Sequence, residues 1–243
     1  MPKTPARTPR REDSLSRERI VEVSIQLLDA NGEAGLTFRA LSERLATGPG
    51  AIYGHVANKS DLLTAACDAI VSRTLDAVPK GRSPREAIRA IALGMFDTID
   101  AHPWVGSALS AAPGEMPVIR LMEHLGQPLR ALGVAKKAQW STVSVLLSYV
   151  VGVAVQNAAN AQFAQATDTD RSTYLGAVAA AWSALDPDMY PFTRGVAGQL
   201  QEHDDRVDFL AGVDLFLRGV EATGALESVP TTASRRSPSR ASR

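Results

Sequence analysis

Cysteine is almost absent from this sequence, with Cys67 as the single example in 243 residues. One thiol excludes an internal disulfide framework and is typical of a protein from a reducing compartment. Aromatic residues are also scarce, at 5% of the chain, whereas hydrophobic residues reach 45%. Without disulfides or many aromatic rings, the fold must depend on a core of aliphatic side chains, which a chain of this length can bury.

Long apolar runs are missing as well. The longest run, Val143–Ala154, is interrupted by two serines, a tyrosine and a glycine, and it is shorter than the roughly 18 residues of a membrane span. The N-terminal residues are rich in arginine and proline without an apolar centre, so they do not resemble a secretory signal. We therefore expect a cytoplasmic protein with no membrane partner.

Strand patterns are absent too. No segment shows the strict alternation or the clusters of β-branched residues that predict strands, while apolar residues recur at three- and four-residue spacing along most of the chain. The predicted fold class is all-α. Residues 1–13 and 227–243 are rich in Pro, Ser, Thr and Arg and are predicted to be a disordered basic arm and tail.

The most informative stretch is Leu36–Leu63. Thr37 is a typical N-cap for a short helix at Phe38–Leu45, and Pro49 suits the first turn of a second short helix. Asn58 then predicts the cap of a longer third helix. Two short helices around a three-residue turn indicate a helix-turn-helix, the unit that places its second helix in the major groove of DNA.

The distribution of charge agrees with DNA contact at one end of the chain. The net charge is zero, but residues 1–59 carry 9 Lys and Arg against 7 Asp and Glu. Residues 60–222 carry 13 against 18, and residues 223–243 carry 4 against 1. Negative charge is thus concentrated in the body, away from the helix-turn-helix.

The same stretch resembles the TetR (tetracycline-repressor-like) family of bacterial transcription factors. The resemblance covers roughly residues 16–65 and centres on the pattern Tyr-x-His-Val-x-Asn-Lys-x-x-Leu-Leu, which starts at Tyr53. The matching residues are Gly35, Leu36, Thr37, Leu41, Leu45, Ile52, Tyr53, His55, Val56, Asn58, Lys59, Leu62 and Leu63, with Ile20, Val23, Leu27 and Leu28 in an amphipathic helix upstream.

This resemblance implies a homodimeric regulator, most often a repressor, that leaves a palindromic operator when a small-molecule effector binds. It implies a helix-turn-helix domain at residues 14–62 and a helical bundle for ligand binding and dimerisation at residues 63–226. We expect no enzyme, cofactor or metal site, because the common catalytic and metal-binding motifs are missing. The alternative is a small-molecule-binding or catalytic helical bundle without a regulatory DNA role, which would have no reason to keep Tyr53, His55 and Lys59.

The type of each residue predicts its DNA contact. Arg39 can reach a guanine edge or a phosphate, whereas Thr37, Tyr53, His55 and Lys59 match family positions that typically contact phosphates. Core packing of Tyr53, a capping role for His55 and simple solvation of Lys59 are the alternatives. The predicted contact set is Thr37, Phe38, Arg39, Gly48, Pro49, Gly50, Ala51, Tyr53, His55 and Lys59.

The second helix of the motif departs from the family pattern. Gly48-Pro49-Gly50-Ala51 offers no long hydrogen-bonding side chain. Bases would therefore be read through thymine methyl groups, close approach of the backbone and Arg39.

The second half of the chain is expected to hold the effector. Ligand cavities are commonly apolar with a few polar groups, and the alternative is that the same residues form only a packed core. The predicted lining is Met95, Phe96, Ile99, Trp104, Met122, Leu125, Trp140, Ser144, Leu147, Ser148 and Gln156, with Tyr149 and Asn160 as further polar groups. The segments His102-Pro103-Trp104 and Leu147-Ser148-Tyr149-x-x-Gly152 resemble the subgroup that includes the tetracycline repressor, but tetracycline itself is not implied.

Small residues in two apolar helices predict close helix packing. Glycine inside a helix costs about 0.5–1 kcal/mol relative to alanine, so its repeated use suggests a packing reason. We expect Ser148, Gly152, Ala159, Gly212 and Gly219 to lie in a four-helix interface between two subunits. The alternative is that they admit helices of the same chain.

Overall fold

The structure is a computed structural model that describes residues 15–166 and 170–227. These residues form helices, turns and loops, and no strand occurs among them, so the predicted all-α class is confirmed. The predicted disordered segments 1–13 and 228–243 lie outside the described residues, whereas Glu227 is helical.

Eleven α-helices occur in the described part of the chain. They are α1 (Arg17–Gly35), α2 (Phe38–Leu45), α3 (Pro49–Tyr53), α4 (Lys59–Asp76), α5 (Pro84–Ala101), α6 (Trp104–Ala111), α7 (Met116–Ala131), α8 (Gln139–Ala166), α9 (Arg171–Ser183), α10 (Pro191–Val196) and α11 (Asp205–Glu227). Short 3-10 turns at Lys136–Ala138 and Ala197–Gln201 precede α8 and follow α10.

The predicted caps of the N-terminal helices are confirmed. The Thr37 hydroxyl accepts the Ala40 N–H at 3.1 Å, and the Asn58 amide oxygen accepts the Asp61 N–H at 2.9 Å. Apolar side chains from α1 to α4 close a small core, and its fully buried members include Ile20, Leu28, Leu36, Leu41, Ile52 and Leu62. Local capping and this core together form the three-helix module that the sequence predicts.

Helix α4 belongs to both halves of the molecule. It packs against α1 on one side and against α5 and α7 on the other. The predicted boundary between residues 62 and 63 falls within its first turn, where the backbone has no break. The buried apolar core is accordingly continuous from α1 into the C-terminal bundle.

The bundle is built around α5, which contacts α4, α7, α8 and α11. By length and composition alone, the segment 136–164 is apolar enough to cross a membrane, although its longest unbroken apolar run is short. Only 22% of the 18-residue apolar stretch within that segment is buried, yet the helix packs against α5, α7 and α11 as part of the bundle. Packing inside the subunit therefore does not explain the apolar residues on the exposed face of α8. We propose a role for this face below.

Three helix ends in the bundle do not follow simple proline and glycine signals. Proline at the first helical position starts a helix as readily as it marks a loop, and the residues from Pro191 form α10 and a 3-10 turn. The last helix continues through Gly224 to Glu227. Helix α8 begins at Gln139, after a 3-10 turn.

The glycines of α8 and α11 fall into two groups. A methyl group at Gly212 would overlap the ring of Tyr149 in α8. Gly212 therefore admits a side chain of its own chain, and its predicted place between subunits was wrong. Methyl groups at Gly152 and Gly219 would meet nothing within 4 Å, so neither glycine is explained by packing inside this chain.

Candidate nucleic-acid interface and ligand cavities

The turn between α2 and α3 is held by a left-handed alanine. Ala46 has a φ of 49°, and it is the one non-glycine residue with positive φ in the described ranges. The Ala46 N–H bonds to the Glu43 carbonyl at 3.4 Å, and the Thr47 N–H bonds to the Ser42 carbonyl at 3.0 Å. These two bonds form the usual hydrogen-bonded helix end that more often contains glycine, and they set the direction in which α3 leaves.

Tyr53 both packs and remains accessible. Its ring stacks on Phe38, with ring centroids 4.3 Å apart and an interplanar angle of 17°. Even so, 55% of Tyr53 is exposed. Phe38 of α2 thus packs against one side of the Tyr53 ring, and the rest of Tyr53 is exposed at the end of α3.

Arg39 is highly accessible, with 90% of its side chain exposed. Its guanidinium bonds to Glu43 at 2.9 Å, one turn further along α2. An exposed pair of this kind is worth little, so DNA can compete for the arginine. Gly48, Pro49, Gly50 and Ala51 are also exposed, which leaves a flat surface at the start of α3.

His55 lies in the connection that follows α3 and Lys59 is the first residue of α4, and each has a hydrogen-bond partner. The Lys59 ammonium donates to the Glu33 carbonyl near the end of α1 at 2.5 Å. The His55 carbonyl accepts from Arg17 at 3.2 Å, while the His55 side chain is exposed. An ammonium has three donors, so the bond to Glu33 leaves Lys59 able to contact phosphate.

Arg17 was not predicted by sequence reasoning. Its guanidinium joins the start of α1 to the His55 carbonyl and, at 3.1 Å, to Asp61 in the first turn of α4. Asp61 also accepts the Ala57 N–H at 3.0 Å. The Ala57 N–H, followed by Arg17, holds the pKa of Asp61 below its ordinary value. No local pattern indicates a contact between residues 44 positions apart.

Two predicted ligand residues line a cavity of about 390 Å³ between α6, α7 and α8. They are Leu147 and Ser148, and no ionisable side chain lines this cavity. We call it the α6–α8 cavity. Its lining is Leu109, Ser110, Pro113, Val118, Leu147, Ser148, Val151, Gly152 and Val155.

Other predicted residues line a second cavity of about 280 Å³, between α5, α8 and the start of α11. We call it the α5–α11 cavity. Its lining is Phe96, Tyr149, Val153, Gln156, Asn157, Asn160, His203, Asp205, Asp208 and Phe209. A third cavity of about 410 Å³, between the start of α8 and the end of α11, is lined by none of the predicted ligand-binding residues.

The remaining predicted ligand residues line none of these three cavities. Met95, Ile99 and Leu125 are completely buried in the core, whereas 72% of Trp140 is exposed on α8. Met122 and Ser144 are half-buried. The amphipathic pattern therefore marked inward-facing residues without separating those that face a void from those that face other side chains.

Trp104 has a different role from the one predicted. Its indole N–H donates to Asp29 of α1 at 2.7 Å, and the same carboxylate oxygen lies 2.6 Å from Nδ1 of His102. The tryptophan ring is buried. This contact joins the first turn of α6 to the N-terminal module, and we call it the Asp29 junction.

A helix-turn-helix with an exposed basic and aromatic face, joined to a helical bundle that contains cavities, defines a helix-turn-helix transcriptional regulator. The chain is 48% identical to the transcriptional regulator SCO7222, a TetR from Streptomyces coelicolor. The match covers 86% of this chain and 99% of that chain, with a TM-score of 0.79. The chain therefore belongs to the TetR family of transcriptional regulators.

Two further relatives agree. An HTH-type transcriptional regulator from Saccharopolyspora erythraea is 28% identical over 225 residues, which cover 92% of each chain. The S. coelicolor TetR family protein ActR, solved in complex with actinorhodin, has the same fold at 22% identity, with a TM-score of 0.71 over 86% of this chain and 96% of ActR. No protein-family model matches the chain. These relatives favour a DNA-binding transcriptional regulator over a helical bundle without a DNA role.

Proposed function

We propose that this regulator is a cytoplasmic homodimeric repressor that leaves a palindromic operator when a small uncharged molecule enters the α6–α8 cavity. The observation that carries the proposal is the position of α6. Leu109 and Ser110 of this helix line the cavity, while Trp104 at its other end donates to Asp29 of the DNA-binding module. One short helix thus contacts both the cavity and the module.

Direct contact between α6 and α8 would transmit a change in the cavity to the DNA-binding module. A methyl group at Gly106 would overlap Val155 of α8, so the two helices are in close contact beside the cavity. Because protein interiors are close-packed, a molecule that widens the cavity must displace α6, and Trp104 moves with it. Coupling of this kind is reciprocal, so operator DNA must weaken effector binding by the same factor.

The lining of the cavity indicates the class of effector. Its polar side chains are the hydroxyls of Ser110 and Ser148, and the Ser110 hydroxyl already donates to the Gly106 carbonyl. A buried charge without a partner is very costly, so the cavity favours an uncharged and largely apolar molecule. ActR, which shares the fold, is solved with the small molecule actinorhodin.

The predicted DNA contacts fit a module that reads few bases directly. Arg39 supplies one long donor, and the flat surface from Gly48 to Ala51 lets the α3 backbone approach the groove. Thr37, Tyr53, His55 and Lys59 surround that surface and bind phosphates. The operator is then recognised largely through its shape and through thymine methyl groups.

The subunits are proposed to meet through α8 and α11. The exposed face of α8 carries residues at three- and four-residue spacing that are mostly small: Ser141, Val145, Ser148, Gly152, Gln156 and Ala159. On α11, Leu215 is 66% exposed and lies one turn before Gly219. Two such helix pairs related by a two-fold axis form a four-helix interface, which would cover the apolar face of α8.

Binding of 1-aminoanthracene, an uncharged fluorescent probe, tests the effector site. We expect its fluorescence to rise with the purified protein and to fall strongly in Ser110→Leu, which fills the cavity. Ser107→Leu makes the same change on an exposed position of α6 outside the cavity and should bind like the wild type. In parallel, fluorescence anisotropy should show that the probe releases the protein from labelled DNA taken from the gene's own upstream region.

The outcomes of this experiment separate the two parts of the proposal. Equal probe binding in the wild type and in Ser110→Leu would place the effector elsewhere. Specific DNA binding that the bound probe leaves unchanged would contradict control through this cavity. Absence of any specific DNA binding would contradict the operator assignment.

A further inference from the structure

The α5–α11 cavity has an aromatic wall formed by three stacked rings. Phe209 stacks on Phe96, with centroids 4.7 Å apart, and on Tyr149, with centroids 5.6 Å apart. Phe96 and Phe209 are almost completely buried, while Tyr149 is half-buried. Phe209 is stacked against both other rings, so the half-buried Tyr149 is the more accessible part of this wall. An accessible aromatic face attracts cations through its negative π-system.

Tyr149 is fixed in this wall by its own helix contacts. Its hydroxyl donates to the Phe209 carbonyl at 3.0 Å, and the absence of a side chain at Gly212 makes room for its ring. Burial, followed by the negative charge of Asp208, raises the pKa of Tyr149. The negative charge of Asp208 therefore lies close enough to the aromatic wall to affect Tyr149 electrostatically.

The opposite wall already holds an imidazole between two carboxylates. Nε2 of His203 lies 2.7 Å from Asp205, and Nδ1 of His203 contacts Asp208. Both nitrogens of this ring are therefore engaged by carboxylates beside the cavity.

The carboxylates around the cavity outnumber the arginines. Arg171 pairs with Asp205, and Arg206 pairs with Asp97. Within residues 15–166 and 170–227, Asp208 pairs with His203, and neither Asp208 nor Asp100 forms an ion pair with an arginine. Asp100 instead accepts from the amide of Asn157, which lines the cavity. The surroundings therefore remain negative.

We propose that the α5–α11 cavity binds a small organic cation, an amine or quaternary ammonium with a planar apolar body. The apolar body lies against Phe96, Tyr149 and Phe209, and the charged nitrogen approaches Asp208. The amides of Gln156 and Asn160 line the rest of the cavity and supply hydrogen bonds. This site is separate from the α6–α8 cavity and does not depend on the function proposed for that cavity.

A metal ion fits this cavity less well than an organic cation. No group of three or more His, Cys, Asp or Glu suited to a metal occurs within residues 15–166 and 170–227. The two ring nitrogens of His203 both contact carboxylates, so neither points at open space where a metal ion could bind. Aromatic faces add nothing to the coordination of a hard cation.

Phenyltrimethylammonium tests the proposal with the purified full chain. Its dissociation constant can be measured by NMR from the shift of its N-methyl protons. We expect binding of this cation, much weaker binding of the uncharged isostere tert-butylbenzene, and none of the anion benzenesulfonate. Asp208→Asn removes one charge without changing shape and should weaken binding roughly tenfold or more.

Two further variants make the test decisive. Asp188→Asn removes the same charge from the loop before α10, outside the cavity, and should bind like the wild type. Asn160→Lys places an ammonium at an exposed position of the cavity lining and should also weaken binding, which covers the case in which Asp208→Asn does not fold. Equal affinity for the cation and for tert-butylbenzene would overturn the proposal, as would unchanged affinity in folded Asp208→Asn.

Discussion

At the scale of single residues, Ala46 stores strain between the two helices of the DNA-binding motif. An L-residue in the left-handed region costs energy that glycine avoids. Ala46→Gly should therefore raise the free energy of unfolding by about 0.5–1 kcal/mol, and thermal denaturation would measure the gain. Ala40→Gly, inside α2, is the matched control and should lower stability by a similar amount. A lower melting temperature in Ala46→Gly would contradict strain at this position.

The DNA contacts give a second prediction at this scale. Lys59→Ala should weaken binding to all DNA sequences about equally and reduce the salt dependence of log K by about one unit, because it removes one phosphate contact. Arg39→Ala should also relax base preference at one position of each half-site. Titrations against a set of operator variants at several salt concentrations measure both effects. An Arg39→Ala protein with unchanged base preference would reassign Arg39 to phosphate.

Local sequence signals predicted the residues that act locally. The caps Thr37 and Asn58 were found because a cap and its partner lie three residues apart. The Asp29 junction was missed because 75 residues separate Asp29 from Trp104, and no periodicity connects them. Gly212 was recognised as a packing glycine, but the ring that it admits comes from another helix.

At the scale of elements, Asp61 joins the start of α4 to α1 and to the connection that follows α3. The pKa of Asp61 is lower in the folded protein than its ordinary value of 3.8. Its contribution to stability is therefore present above the unfolded pKa and is lost as the pH falls through the lower folded pKa. The stability difference between wild type and Asp61→Asn should shrink as the pH falls below about 4.

Urea unfolding between roughly pH 2 and pH 6 measures this difference. Asp76→Asn, at the other end of α4, is the control for a charge change on the same helix. A difference between wild type and Asp61→Asn that stays constant over this range would contradict a role for the ionised carboxylate. We expect DNA binding to be lost over the same acid range, because Asp61 and Arg17 hold the connection that carries His55.

The positions of helices were predictable, but the space between them was not. The proline and asparagine signals at Pro49 and Asn58 located the starts of α3 and α4 because they act on the local backbone. The cavities depend on how separate helices pack, so Leu147 and Ser148 could not be distinguished in advance from Met95 or Leu125. The 3.6-residue period reports only the direction in which a side chain points.

At the scale of the whole molecule, the apolar outer face of α8 predicts the assembly. Its buried residues Val143, Leu146, Val150, Ala154 and Ala158 face the bundle, while the face with Val145 and Gly152 is open. A substitution at a two-fold interface acts twice in each dimer. Gly152→Leu and Leu215→Asp should therefore give folded monomers at micromolar concentration, and sedimentation would measure the change.

Gly212, which packs against Tyr149 of the same chain, provides a control for this prediction. Gly212→Ala must displace Tyr149, so it should lower the melting temperature of the subunit without selectively dissociating the dimer. Ile119→Asp, on the exposed side of α7, introduces a similar charge outside the proposed interface and should leave the dimer intact.

Because one operator needs two helix-turn-helix modules, the monomeric variants should also lose operator affinity although Arg39, Tyr53 and Lys59 are unchanged. A wild-type protein that sediments as a monomer, or a Leu215→Asp protein that remains a tight dimer, would show that α8 and α11 are not the interface.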